Sequence, residues 1–338
     1  MSKVSSHFFR ATLAFVAVCL AGVLTETFGA SSAAAETWQA YTYNPAATMP
    51  ANQGLARMFD RIKKESGGAL TIELHLGGSL PIDPTSITSA VSSGVLAMAD
   101  DGMATGNIPI AAIAKLPLLL LTPDDQAKVD RVLLPILTKA YADKGITLLG
   151  SYWVPFQVPF SRRKLTSLDD IKGQKIRVTS VEQGEFVRRF GGYPVSLGSP
   201  EVATALASGV IDGTITASLA GGRIWQDLLR YRYGMPVSYA DSFIIVNTRL
   251  FQKLSPKLQA IVRSVVQDED RAMTISMRQE DDDVTKKMAT QGIIVTAASP
   301  QDIAKARARM SSYWGQWAHA HGPQAVAALA KIRAALGQ

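Results

Sequence analysis

Beyond residue 35 the chain alternates between short strand-like patterns and helical stripes. Leu70, Ile72, Leu74 and Leu76 alternate with Thr71, Glu73 and His75, which is the period-two pattern of a strand with one wet face. His75 falls on the solvated side of that strand. Just before it, Leu55, Met58, Phe59 and Ile62 recur at i, i+3, i+4 and i+7, giving a helix one apolar face that Gly67-Gly68 stops. A strand over residues 38–43 precedes this helix across a turn at Asn44-Pro45. Asp83-Pro84 opens the next helix, because aspartate accepts orphan N–H groups and proline tolerates the first helical position. Gly94 ends that helix and residues 95–99 read as a strand. Strand, helix, strand, helix, strand calls for a mainly parallel sheet covered by helices.

The same order returns a hundred residues later. Residues 175–178 read as a strand, 181–190 as a helix stopped by Gly191-Gly192, and 193–197 as a strand. Ser199-Pro200 then opens a helix that Gly209 ends, and Val210-Ile211 begins another strand. Two lobes of similar design follow, each an open α/β sheet with its ligand site beyond the carboxyl ends of its strands. Residues 124–144 predict a helix that feeds a strand over 146–153, and 243–246 predict a buried strand. After Ser255-Pro256, the stripe of Leu258, Ile261, Val262, Val265 and Val266 meets no breaker until Gly292. Such a helix of roughly 35 residues is about 50 Å long, enough to lie across both lobes. On it, Asp281-Asp282-Asp283 are adjacent and do not converge, so they predict a solvated face and not a metal site. The expected division is a signal peptide over 1–35, lobe I over 36–154 plus about 242–280, lobe II over 155–241, and C-terminal helices over 281–338.

The first 35 residues carry an export signal. Lys3 and Arg10 precede an apolar run from Ala11 to Leu24, and Ala33-Ala34-Ala35 supplies a small-residue cleavage site near Ala35. Cleavage removes Cys19, the only cysteine, so no disulfide is expected in the exported protein. The chain of 338 residues carries a net charge of +7. Arg162-Arg163-Lys164 and the Arg230–Tyr233 run are the basic patches, but acids are interspersed and no nucleic-acid motif accompanies them. The charge therefore favours small anions over nucleic acid. No later run is long enough to span a bilayer, so no stable membrane insertion is expected after cleavage.

Catalytic signals are sparse. Ser161 and Lys164 satisfy S-x-x-K, the pattern of an exported serine hydrolase, without the K-T-G or G-x-S-x-G that would accompany it. No phosphate-cradling glycine loop is present. The four histidines are scattered, with His319 and His321 pointing apart on a helix, so neither metal nor cofactor is expected. Arg177 is different, because it interrupts an apolar strand between Ile176 and Val178. A guanidinium there needs a partner. Either Glu182, Glu185 or Asp212 pairs with it internally, or its planar fork clamps a ligand carboxylate.

The segment over residues 168–216 resembles the solute-binding proteins of the DctP type, which serve TRAP (tripartite ATP-independent periplasmic) transporters. The matching pieces are Ser167–Gly173, Lys175-Ile176-Arg177-Val178, Gly192-Tyr193-Pro194-Val195, Glu201-Val202, Ala205-Leu206, Gly209-Val210 and Ile211-Asp212-Gly213. Leu116-Pro117-Leu118 and the long helix after Ser255 extend the match. The resemblance implies a two-lobed α/β periplasmic binding protein of type II with a hinge and a long helix spanning both lobes. It would not be an enzyme. It would capture an organic acid in the interlobe cleft through Arg177 and deliver it to a TRAP permease. An ABC-type or sensor-linked binder of small organic anions is the alternative. Gln157 stands where many members place a second arginine, Thr216 where an asparagine is usual, and Ala203 where a tyrosine is usual. The aromatic residue common before the S-E pair is absent at Gly198-Ser199-Pro200-Glu201. The expected ligand is accordingly a bulkier or aromatic monocarboxylate, with Trp153 and Phe156 for apolar contact and Arg162 as a replacement cation. Asn44, at a family ligand position, and Asp101-Gly102-Met103 would form the opposite wall.

Overall fold

The computed structural model describes residues 35–338. The expected signal peptide, Cys19 included, lies outside the described residues except for Ala35. In chain order the elements are β1 (Glu36–Thr42), α1 (Pro50–Glu65), β2 (Leu70–His75), α2 (Ile87–Ser93), β3 (Met98–Asp101), α3 (Pro123–Ala142) and β4 (Ile146–Ser161). They continue with β5 (Lys175–Val178), α4 (Val181–Arg189), β6 (Tyr193–Ser196), α5 (Ser199–Ala207), β7 (Gly213–Thr216), β8 (Tyr231–Gly234) and β9 (Ser238–Asn247). The last are α6 (Thr248–Lys253), α7 (Pro256–Thr290), β10 (Ile294–Ala297), α8 (Pro300–Ala320) and α9 (Pro323–Ala335).

The strands lie in the order β2-β1-β3-β9-β4-β7-β5-β6, with β8 also on β4 and β10 on β8. Each half contains a parallel trio, β2-β1-β3 in the first and β7-β5-β6 in the second, and the antiparallel strands β9 and β4 join them. Helices cover both faces. On one, Trp38, Ala40, Met98 and Ile244 meet Leu55 and Met58 of α1 and Val262, Val265 and Met273 of α7. On the other, Tyr41, Ala99 and Phe243 meet Leu133 and Tyr141 of α3 and the C-terminal helices.

The sequence pattern ends the fourth strand at residue 153, yet β4 runs on to Ser161. Its prolines disguise it. The register shifts between Val154 and Gln157, around Pro155; Gln157 still pairs with Ser238 of β9, and beyond it β4 pairs with β7 and β8. Proline lacks the N–H that a regular ladder requires and is tolerated at such an irregularity. β3 starts three residues later than the alternation suggests, because Val95 is exposed and the strand proper begins at Met98. β10 falls in a stretch expected to hold only helices, and it adds a parallel edge to β8.

The long helix matches its expected extent. Ser255 Oγ accepts the Leu258 N–H at its start, and Val262, Val265 and Val266 are buried. The solvated acidic face is corrected at one position. Asp282 and Asp283 are exposed, but Asp281 is buried and its Oδ1 accepts the Leu219 N–H at 2.8 Å.

Asp270 lies where α7 crosses β4, taking the Ser151 N–H at 3.3 Å, and burial pushes its pKa up to about 7. The folded protein thus holds a proton that the unfolded chain releases near 3.8. The associated stability is full below the unfolded value and is lost as pH rises through about 7. Asp270→Asn should therefore raise the Tm by a few degrees near pH 8 and give little gain near pH 5. Melting curves at the two pH values check this, and an equal shift at both would count against it.

Candidate ligand-binding site

Ile176 and Val178 of β5 point into the core beside Phe186 and Val187 of α4. Strand alternation turns Arg177 to the other face, where it is 5% exposed. Its Nε donates to the Leu197 carbonyl at 3.0 Å and its Nη2 to Ser199 Oγ at 3.4 Å. The guanidinium carbon lies 5.7 Å from the centre of the Trp225 ring. None of the three acids expected as internal partners pairs with it. Asp212 accepts the Lys175 N–H and faces Arg163 at 3.4 Å, while Glu185 pairs with Arg188 and Arg189. Glu182 makes no ion pair among the described residues. Burial alone lowers the Arg177 pKa, with no carboxylate working against it. A buried guanidinium bonded only to a carbonyl and a hydroxyl retains the capacity to take a bidentate anion.

Trp225 completes this wall, and no sequence pattern pointed to it. The available signal was an indole just after Gly221-Gly222, in the stretch that follows the Asp212-Gly213 strand. Thr216 Oγ1 accepts the Gly221 N–H at 3.1 Å, and the Gly221 carbonyl accepts the Trp225 N–H at 3.0 Å. A methyl on Gly221 would overlap the indole and come within 2.7 Å of Thr216 Oγ1. The glycine is what lets the ring lie flat over its own loop. Bonds from Leu219 to Asp281 and from Thr285 to Ser218 fasten the loop to α7. The Thr216 oxygen is thus used to build the loop.

The other expected residues fall into different surroundings. Asn44 is half-buried just after β1; its Oδ1 accepts the Ala46 N–H and its carbonyl takes Asn52 Nδ2 and the Gly77 N–H. Met103 is exposed, next to Gly102, against which the Tyr43 ring packs closely. Asp101 is almost wholly buried, with Oδ2 accepting the Thr88 hydroxyl at 2.5 Å and Oδ1 without a hydrogen-bond partner. Burial pushes its pKa up to about 6. Gln157 is half-buried at the β4 bulge, with Nε2 turned back to the Pro155 carbonyl at 3.0 Å. Trp153 lies apart from the Arg177 cluster. Its Nε1 donates to Asp130 at 3.0 Å, and its ring meets Tyr239 edge-on at 5.5 Å.

Arg162 does not replace a second cation beside Arg177. It is exposed and reaches the Leu206 carbonyl near the carboxyl end of α5, while Ser199 marks the amino end of that nine-residue helix. The Ser161/Lys164 pairing is not formed either. Ser161 Oγ donates to Gln174 at 2.6 Å, and the Lys164 ammonium faces Asp170 at 3.7 Å. Among the described residues no His/Cys/Asp/Glu group could hold a metal ion, and no helix is long and apolar enough to cross a membrane.

Residues 41–320 match the bacterial extracellular solute-binding proteins of family 7, DctP. A solute-binding protein of Albidiferax ferrireducens is 25% identical over 251 residues, covering 72% of this chain and 74% of that protein. Among solved structures, the fold superposes with a TM-score of 0.79 on DctP7 of Bordetella pertussis, an extracytoplasmic solute receptor binding pyroglutamic acid. That match has 23% identity and covers 88% of this chain and 100% of the receptor. A TRAP periplasmic solute-binding protein of Chromohalobacter salexigens with bound D-glucuronate also gives 0.79, at 19% identity over 88% and 99% of the two chains. The two-lobed α/β architecture is shared with these receptors.

Proposed function

The chain belongs to the bacterial extracellular solute-binding proteins of family 7, and from that premise we propose that it is a periplasmic receptor that captures an organic acid and presents it to a TRAP-type membrane permease. The family binds solutes and does not transform them. The observation that carries the organic-acid reading is Arg177, buried at the end of β5 and bonded only to Leu197 and Ser199. A carboxylate seated on that fork would recover the hydration the guanidinium has lost, and closure of the lobes over it would strengthen the charged bonds by excluding water.

The hinge in this reading lies at residues 154–157, where β4 changes partners, and at the facing start of β9. Residues 36–154 with about 242–280 form the first lobe and 155–241 the second, which β10 joins through β8. In this reading Asn44 and Met103, just after β1 and β3, supply the first lobe's side of the cleft, and Arg177, Ser199, Thr216 and Trp225 the other, with Gln157 at the hinge. The N-terminal export signal supplies the route to the periplasm.

One clamping cation and one indole favour a monocarboxylate with a ring or an extended body over a small dicarboxylate. The pyroglutamate and D-glucuronate bound by the structural relatives are acids of this kind. Calorimetry and thermal shift with these two acids, aromatic monocarboxylates and small aliphatic dicarboxylates test the reading. A true ligand should bind at one site per chain and add about 2.7 kcal/mol of stability at a hundredfold excess over its Kd. Dicarboxylates outcompeting every monocarboxylate would reject the finer reading, and a panel with no saturable binder would reject the organic-acid reading itself.

A further inference from the structure

A second guanidinium, half-buried where Arg177 is buried, also lacks a carboxylate partner, in a different place. Arg232 on β8 spends its Nε on Ser218 Oγ at 2.9 Å and lies 5.9 Å from the Phe160 ring centre. Neither terminal nitrogen donates to a protein group among the described residues, and no carboxylate lies within 4.0 Å of it. Burial lowers its pKa, with Asp281 and Asp282 acting on it only from longer range. Arg232 lines a cavity of about 410 Å³ between the hinge stretch of β4, α7 and the β8–β10 edge.

That cavity has an aromatic wall among aliphatic and polar residues, including Asp281 and Asp282, and bridges the two halves of the sheet. Trp153, Phe156 and Tyr239 form one wall, with the Tyr239 ring tilted against Phe156 at a centroid distance of 3.6 Å and edge-on to Trp153. Arg278 adds a second cation, held at 3.3 Å by Gln126. Of the two acids in the lining, Asp281 is committed to the Leu219 amide. Arg177, Ser199, Thr216, Trp225, Gln157 and Asn44 take no part in the lining. The aromatic contact expected from Trp153 and Phe156 therefore belongs to this cavity and not to the Arg177 wall.

We propose that this hinge cavity is a second binding site, for a small aromatic carboxylate whose charge sits on the Arg232 fork and whose ring lies against Trp153 and Tyr239. The volume is in the range of small-molecule sites, and a planar fork beside aromatic faces suits a flat ring bearing an anion. The site stands independently of the organic-acid reading, because Arg177→Ala removes the first site from the experiment. The probe is benzoate, titrated into the Arg177→Ala protein and followed by calorimetry and tryptophan fluorescence. Saturable binding is expected at one site per chain. Adding Arg232→Gln should weaken it about tenfold or more. Adding Val295→Trp, which fills the cavity from its rim and leaves Arg232 in place, should also abolish it. Absence of saturable benzoate binding to the Arg177→Ala protein overturns the proposal, as does affinity unchanged by both added substitutions.

Discussion

Arg177→Ala should weaken binding of the organic-acid ligand by on the order of ten- to a hundredfold, the equivalent of about 1.5–3 kcal/mol for a charged hydrogen-bonded pair. The ligand-free protein should nevertheless keep its melting temperature, or gain slightly. These two results are expected together because the guanidinium is buried with no carboxylate beside it. In the empty protein its desolvation is offset by the Leu197 carbonyl, the long bond to Ser199 and the Trp225 ring, with no opposite charge. Removing the charge removes that burden, whereas in the complex it strips a carboxylate of its partner. Arg177→Lys should fall between, retaining the charge but losing the planar fork and its fit to a carboxylate. Calorimetric titration beside thermal melts of each variant measures both halves of this expectation. Undiminished affinity in a folded Arg177→Ala protein would remove the clamp from the account, and a large loss of ligand-free stability would make Arg177 a structural residue.

The largest loss of stability is expected at Gly213, the glycine of the Asp212-Gly213 pair. β7 begins here, facing Ser161 of β4 on one side and Ile176 of β5 on the other. A methyl at Gly213 would overlap the Phe160 carbonyl oxygen and lie 3.1 Å from Ser161 Cα. Both are backbone atoms of the strand that joins the two halves of the sheet, so neither can swing aside. Gly213→Ala should cost about 3 kcal/mol, the upper range for overpacking, and lower the Tm by several degrees. Gly54→Ala is the instructive control. The added methyl would overlap Met273 Cγ and Sδ, the flexible part of a side chain, and alanine improves helix propensity at that position of α1. It should change stability by about 1 kcal/mol or less. Denaturation curves of the two variants decide whether backbone or side-chain proximity sets the cost; equal losses would contradict this account.

Part of this architecture was legible because it is local. The stripe after Ser255 and the absence of a breaker before Gly292 define α7 from Pro256 to Thr290 without reference to anything else in the fold. The K-I-R-V alternation likewise turns Arg177 away from its apolar neighbours, since successive strand residues face opposite ways. The turn glycines stop their helices for a similar reason. Gly94 and Gly209 adopt positive φ, where a side chain is strained. β4 beyond Trp153 was hidden because Pro155 is accommodated at a bulge, and a bulge is defined by the partner strands. β10 was hidden because four residues gain strand character only by pairing with β8, some sixty residues earlier.

The candidate site divides along the same line. Sequence by itself determined the two-lobed α/β class, the strand that carries Arg177 and the need of that guanidinium for a partner, because each follows from covalent order and local periodicity. Tertiary structure alone decided which partners it has. Glu185, near in sequence, is claimed by Arg188 and Arg189, and Asp212 by Arg163 and the Lys175 amide, while Trp225, nearly fifty residues away, lies against the guanidinium. The same packing turned Asp281 inward and drew Trp153 to Asp130. Burial and charge pairing depend on atoms brought together from distant parts of the chain, and no spacing along one segment encodes them.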